Sequence, residues 1–131
     1  MNTLLSILII GVGATVGASS RYYIGIISTQ YLGKGLPYGT LISNVIGSFI
    51  AGVLIVLVLE KLPLSETYRL MLLVGLAGSL TTMSALSIES LEMLSGGHYS
   101  QAFINILLNL LLSLTAASLG VVASKYVFNL V

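Results

Sequence analysis

Four long stretches of this chain are apolar and almost free of charge, roughly residues 3–32, 39–60, 69–95 and 101–128. A helix needs about 20 mostly apolar residues to cross a bilayer, so each stretch is long enough. The 131 residues include only five basic and four acidic side chains, and the mean hydropathy is +1.07. A soluble protein needs many more surface charges. The sequence predicts an all-α integral membrane protein, with four transmembrane helices in one domain over residues 1–131.

The same composition excludes several classes of function. The net charge is +1 and the basic residues are scattered, so there is no basic stripe for nucleic acid. Without cysteine the chain has no disulfide or thiolate metal site, and one histidine, His98, cannot form a metal cluster. We see no acid–base pair or activated nucleophile and expect no enzyme.

The basic residues give only a weak signal for orientation. Four spans place Lys61, Arg69 and Lys125 on one side of the membrane and Lys34 on the other. By the positive-inside rule, this bias is compatible with one fixed orientation and also with insertion in both directions.

Small residues provide faces for close helix contact. The chain has 14 glycines, including Gly11, Gly13 and Gly17 in the first span and Gly47 and Gly52 in the second. Such residues pack a monomer or join subunits. Four helices barely surround a polar path, so we expect an oligomer.

Two polar side chains lie inside predicted spans. Arg21 either reaches the membrane interface, which Tyr22 and Tyr23 would mark, or attracts an anion into a vestibule. Asn44 either joins helices by hydrogen bonds or donates to an anion while a neighbouring helix satisfies its carbonyl.

The third span carries glycines and hydroxyl residues halfway along its length, from Gly75 through Thr81 and Thr82 to Ser87. Glycine is unfavourable inside helices, and Ser and Thr compete for backbone hydrogen bonds. The segment predicts a helix break at mid-membrane, with a simple kink as the alternative. Broken helices at that depth hold ions with freed backbone groups.

Further polar residues follow the predicted break. The third span continues with Ser84, Ser87, Glu89 and Ser90, and the fourth span contains Asn105, Asn109, Ser113, Thr115 and Ser118. A row of hydroxyl groups can replace water around a small ion. Each hydroxyl can also bond to its own helix.

Three segments in order resemble the Fluc (CrcB) family of fluoride channels: residues 13–21 (GATVGASSR), 39–49 (GTLISNVIGSF) and 75–84 (GLAGSLTTMS). The resemblance covers essentially the whole chain. It implies a bacterial inner-membrane homodimer in antiparallel dual topology, whose two pores export fluoride passively and relieve fluoride toxicity.

The resemblance also implies particular sites. A structural Na⁺ at the dimer centre would be held by the carbonyls of Gly78 and Thr81. The family's vestibule asparagine corresponds to Asn44 and its first-span arginine to Arg21. The remaining residues of the implied fluoride pathway are the hydroxyls Ser84, Ser87 and Ser113, and the carboxylate Glu89.

One departure from the family pattern concerns the pore. Met83 and Leu86 stand where the family has two phenylalanines, and Ala85 replaces a hydroxyl residue. An aromatic ring presents a positive edge to an anion, which leucine and methionine lack. Either this chain is one half of a heterodimer whose phenylalanine-bearing partner supplies the rings, or Met83 and Leu86 still leave a conducting pore.

Two other functions compete with a fluoride channel. A small dual-topology exporter of cationic drugs needs a carboxylate midway along a helix, whereas the first span carries Arg21 and no acid. A non-conducting assembly subunit would explain the missing phenylalanines, but not the combination of Arg21, Asn44 and a broken helix.

Overall fold

The computed structural model describes residues 2–58 and 66–128, and all regular structure in these ranges is helical. The first, second and fourth spans are each a single helix, and the third span consists of several helical segments. In chain order the elements are α1 (Thr3–Leu32), α2 (Tyr38–Val56), α3 (Glu66–Arg69), a π-helical segment (Leu70–Ala77), α4 (Gly78–Leu80), α5 (Met83–Ser95) and α6 (Tyr99–Val127).

The four predicted spans are confirmed by length and composition, with small shifts at their ends. Turn chemistry sets several of these ends. Gly33 follows α1 with a φ of 78°, a conformation that favours glycine, and Pro37 precedes α2, where its missing N–H costs no helical bond. The turn-forming residues at 60–65 predict a loop, with Ser65 as the N-terminal cap of the next helix, but this segment lies outside the described residues.

Glycines allow α1 to lie against the third span. A Cβ atom on Gly13 would collide with the backbone of Met71, and one on Gly17 with the carbonyl of Leu76. Nothing lies within 4 Å of the Cβ position of Gly11 in the described structure. The close helix contact expected of Gly11 is therefore not made within one chain, and a contact between subunits stays a prediction. Two residues before Gly13, Gly11 lies on a different face of α1.

The second close helix pair joins α2 to α6. Gly52 lies against the backbone of Ala117, and Gly120 lies against the backbone of Phe49. Without a Cβ at either glycine the two backbones approach closely, which is how helices associate where no hydrophobic effect drives them together. Each of the two pairs therefore joins helices that are far apart in sequence.

The third span is interrupted at Thr81 and Thr82. Thr81 has φ −82° and ψ 153°, and Thr82 has φ −153° and ψ 117°, so both residues are extended. The hydroxyl of Thr82 accepts from the Ala85 N–H at 3.2 Å and caps α5. We call residues 81–82 the interruption.

The glycines of the third span do not themselves leave the helix. Gly75 is buried in the π-helical segment against Ile10 and Gly13 of α1, and Gly78 has helical φ and ψ of −64° and −30°. The low helix propensity of glycine, on which the predicted break partly rests, therefore does not explain which residues are extended. The extended residues are Thr81 and Thr82, and the side chain of Asn44 pairs with both backbone polar groups of Thr82.

The close contact at Gly17 predicts a test on α1. We expect Gly17→Ala to lower the free energy of unfolding by about 1–3 kcal/mol, the usual cost of overpacking, because its Cβ meets a rigid backbone. Gly11→Ala is the matched control on the same helix and should not destabilise the protein. Thermal unfolding in detergent compares the variants, and equal stability of both would contradict the packing.

Candidate ion site at the interruption

An open groove of about 570 Å³ lies beside the interruption. We call it the central groove. Most of its lining is apolar, and the polar lining residues carry amide and hydroxyl groups. Its lining residues are Asn44, Ser48, Ala51, Leu73, Ala77, Gly78, Thr81, Thr82, Met83, Leu86, Ile106, Asn109, Leu110, Ser113, Leu114 and Ala117.

The side chain of Asn44 forms hydrogen bonds with both the backbone N–H and the backbone carbonyl of Thr82. Its Oδ1 accepts from the Thr82 N–H at 2.7 Å, and its Nδ2 donates to the Thr82 carbonyl at 3.2 Å. The second Nδ2 hydrogen goes to Oδ1 of Asn109 at 2.8 Å. Asn44 thus joins α2 to the interruption and to α6, as the interhelical alternative expects, while its contact with an anion stays a prediction.

The interruption removes the helical partners of the last carbonyls of the preceding segment, residues 78–81, and those of Gly78 and Thr81 are two of them. In a continuous α-helix the Thr82 N–H would donate to the Gly78 carbonyl, and the Ala85 N–H would donate to the Thr81 carbonyl. Here Thr82 donates to Asn44 and Ala85 donates to the Thr82 hydroxyl. Gly78 and Thr81 both line the central groove. Backbone oxygens that have lost their helical partners coordinate cations in broken membrane helices.

The amides of α6 extend the contacts of Asn44. Asn109 donates to the carbonyl of Asn105 at 2.9 Å and to its Oδ1 at 3.1 Å. Asn105 in turn donates to the hydroxyl of Ser90 on α5 at 3.0 Å. All of these side chains are at most 8% exposed. Buried polar groups of this kind need hydrogen-bond partners, and each of these amides donates a hydrogen bond to the next polar residue.

The three predicted pathway hydroxyls have different surroundings. The Ser84 hydroxyl lies 3.1 Å from that of Thr82, and the exposed Ser87 donates to the Met83 carbonyl of its own helix. The Ser113 hydroxyl oxygen is buried beside the central groove without a partner among the described residues. Of the three, Ser113 is the one with an unused polar atom at the groove.

The two residues at the family's phenylalanine positions are both at the central groove. They differ in burial, because Met83 is 74% exposed whereas Leu86 is 6% exposed. A larger ring at position 83 would have space, but one at position 86 would have to displace its neighbours. The first turn of α5, which includes Met83, also directs backbone N–H groups toward the interruption.

Glu89 lies away from the central groove, at a second open cavity of about 580 Å³. Thr40 donates to Oε1 of Glu89 at 2.6 Å, while Oε2 is buried without a partner in the described structure. Lys34, Glu92 and His98 share this cavity. One carboxylate oxygen is thus positioned by α2, and the cavity contains side chains of both charge signs.

Arg21 is half-buried on α1 and lines neither groove. Within residues 2–58 and 66–128, no hydrogen bond or ion pair to its guanidinium is found. Tyr22 and Tyr23 beside it are exposed, and their rings are in edge-to-face contact, with centroids 5.7 Å apart. An interfacial or vestibular role for Arg21 stays a prediction.

The predicted residues therefore fall into two groups. Those at the central groove are Asn44, Gly78, Thr81, Met83, Leu86 and Ser113, whereas Ser84, Ser87, Glu89 and Arg21 are not among its lining residues. The sequence placed Thr82 in the predicted break and Asn109 among the polar residues of the fourth span, but it did not predict the hydrogen-bond partners of Thr82, Asn109 or Thr40. Their polar character inside apolar spans was visible, but their pairing across helices depends on the packing.

Fold and site together define a multi-pass membrane protein with four apolar spans, the third interrupted beside a mostly apolar groove. Comparison with known proteins adds the family. A family model described as "CrcB-like protein, Camphor Resistance (CrcB)" matches residues 8–121. The chain belongs to this family.

Several curated relatives match nearly the whole chain, and each is named fluoride-specific ion channel FluC. The protein from Sulfurihydrogenibium sp. (strain YO3AOP1) is 45% identical over 118 residues, which are 90% of this chain and 95% of the relative. The protein from Roseiflexus sp. (strain RS-1) is 41% identical, with 88% and 94% covered. The protein from Legionella pneumophila (strain Paris) is 37% identical, with 92% and 90% covered.

These relatives support three of the expectations from sequence. The family resemblance is confirmed, and the chain is a multi-pass protein of a bacterial membrane. The family consists of channels rather than enzymes.

Proposed function

We propose that this protein is a passive, fluoride-selective channel that exports fluoride from the bacterial cytoplasm and relieves fluoride toxicity. The observation that carries the proposal is the interruption of the third span beside the central groove, in a chain whose relatives are named fluoride-specific ion channels. Irregular backbone at membrane depth is stable only where protein or a polar cavity surrounds it.

The polarity of the interruption suits an anion on one side and a cation on the other. A helix N-terminus carries positive partial charge and unpaired N–H groups, so the start of α5 at Met83 favours an anion. The freed carbonyls of Gly78 and Thr81 favour a cation. The buried, unpartnered hydroxyl of Ser113 offers a donor to a fluoride ion in the central groove.

We further propose that two copies assemble as an antiparallel, dual-topology homodimer with two pores and a structural Na⁺ at its centre. The carbonyls of Gly78 and Thr81 fit an ion that takes oxygen ligands. Two oxygens are few for a hard cation, and a second copy related by two-fold symmetry would supply the same two again. The exposure of Met83 at the central groove is compatible with a partner subunit covering it.

The function is tested by fluoride efflux from liposomes that contain this chain alone. We expect rapid fluoride loss from vesicles that retain chloride, because the proposed path replaces the hydration shell of the small ion with a few fixed donors. Empty vesicles give the background leak. Equal loss of fluoride and chloride, or no fluoride loss from folded protein beside a conducting relative, would contradict a selective homomeric channel.

The substitutions at Met83 and Leu86 favour one alternative, a subunit that conducts only with a phenylalanine-bearing partner. In that case, vesicles that contain only this folded protein would retain fluoride. Vesicles that contain it together with a phenylalanine-bearing relative would lose fluoride. The variant Met83→Phe with Leu86→Phe separates the cases, because restored rings should restore efflux if their absence is the defect. An inactive but folded double variant would show that the rings are not the defect.

Removal of sodium tests the proposed central ion. An ion that binds only the folded dimer stabilises it by about 2.7 kcal/mol when present at 100 times its Kd. We therefore expect the thermal unfolding temperature in detergent to rise with sodium chloride. The control is N-methyl-D-glucamine chloride at the same ionic strength, and equal unfolding temperatures in the two salts would contradict a structural Na⁺.

A further inference from the structure

The buried amides of α2 and α6 form one directed chain of hydrogen bonds. Asn44 donates to Asn109, Asn109 donates to Asn105, and Asn105 donates to Ser90. We call these four residues the amide relay. It begins at the interruption and ends on α5, so it connects three helices through side chains alone.

The direction of the amide relay fixes how Asn44 faces the interruption. If Asn44 rotated its amide by half a turn, its N–H groups would face the Thr82 N–H, and its oxygen would face the Thr82 carbonyl. The acceptor oxygen of Asn109 adds a second reason for the observed orientation, since it takes the other Asn44 hydrogen at 2.8 Å. Asn109 is held in turn by its two bonds to Asn105.

Burial makes each of these bonds costly to lose. Asn105 and Asn109 are each 2% exposed and Ser90 is 4% exposed, so water cannot replace a missing partner. A buried donor without an acceptor is strongly unfavourable. Removing the oxygen of Asn109 would leave one Asn44 hydrogen without a partner, and the Thr82 N–H could then return to the Gly78 carbonyl.

We propose that Asn109 is a positioning residue for ion conduction. Through Asn44 it holds the Thr82 peptide in its extended conformation, and Asn105 and Ser90 keep Asn109 in the required orientation. The interruption of the third span thus depends on α6, although Asn109 of α6 does not itself bond to Thr82 and acts only through Asn44. The consequence for conduction rests on the proposed fluoride channel.

The test observes the Thr82 amide itself. Thr81–Thr82 is the sole Thr–Thr pair in the sequence, so ¹³C′,¹⁵N-threonine labelling gives Thr82 a unique one-bond coupling in NMR spectra. We expect Asn109→Leu, which keeps the side-chain volume but no polar atom, to shift the Thr82 amide signal. Ser124→Ala is the matched control, because Ser124 is also buried on α6 and bonds to α2, at the Val53 carbonyl. It should leave the signal in place.

Fluoride efflux supplies the functional arm. Loss of one buried hydrogen bond corresponds to about a tenfold change in an equilibrium, so we expect Asn109→Leu to slow efflux about tenfold. Since Asn109 acts through Asn44, adding Asn109→Leu to Asn44→Ala should change efflux by less than about twofold. A merely structural residue would give additive effects.

Two results would overturn the proposal that Asn109 is a positioning residue. One is an unchanged Thr82 signal in folded Asn109→Leu protein, and the other is additive losses of efflux in the double variant. If the parent chain conducts no fluoride, the proposed function fails, but the Thr82 signal still decides whether Asn109 positions the interruption.

Discussion

The side chain of Asn44 takes both hydrogen-bonding groups of Thr82, and this single interaction replaces a turn of helix in the third span. A peptide that leaves a helix inside an apolar bundle needs partners for its N–H and its carbonyl. An asparagine amide provides one acceptor and two donors in a planar group, which matches a peptide edge. The N–H and the carbonyl of the extended residue Thr82 are thus both paired.

This exchange of partners has electrostatic consequences on both sides of the interruption. The carbonyls of Gly78 and Thr81 lose their helical partners, and α5 begins directly after the interruption with its positively polarised N-terminal end. One short segment therefore presents negative partial charges to a cation and positive ones to an anion. In the proposed channel, Na⁺ and fluoride use these opposite ends, and neither requires a charged side chain beside the interruption.

Sequence reasoning predicted much of the fold but little of the pairing inside it. Long apolar stretches fix the number of spans, and motif order identifies the family. The close approach at Gly13 and Gly17 followed from residue size, whereas the open position of Gly11 depends on how α1 is rotated. Rotation is set by contacts with helices distant in sequence, which periodicity in an almost uniformly apolar helix does not reveal.

The site shows the same division. The region of the interruption was predicted from its glycines and hydroxyl residues, yet the extended residues are Thr81 and Thr82, and Gly78 remains helical. That outcome depends on Asn44 and on Asn109, which lies 65 residues further along the chain. A linear pattern identifies polar residues in apolar spans, but only the packed bundle shows which of them meet.

Backbone chemical shifts in a lipid bilayer report directly whether the third span is interrupted at Thr81 and Thr82. Solid-state NMR of protein labelled at the Thr–Thr and Thr–Met pairs, each of which occurs once in the sequence, reports the ¹³Cα and ¹³Cβ shifts of both residues. Extended backbone predicts lowered Cα and raised Cβ shifts relative to random coil. Helical shifts at both residues would mean a continuous span, and would contradict the proposed ion site.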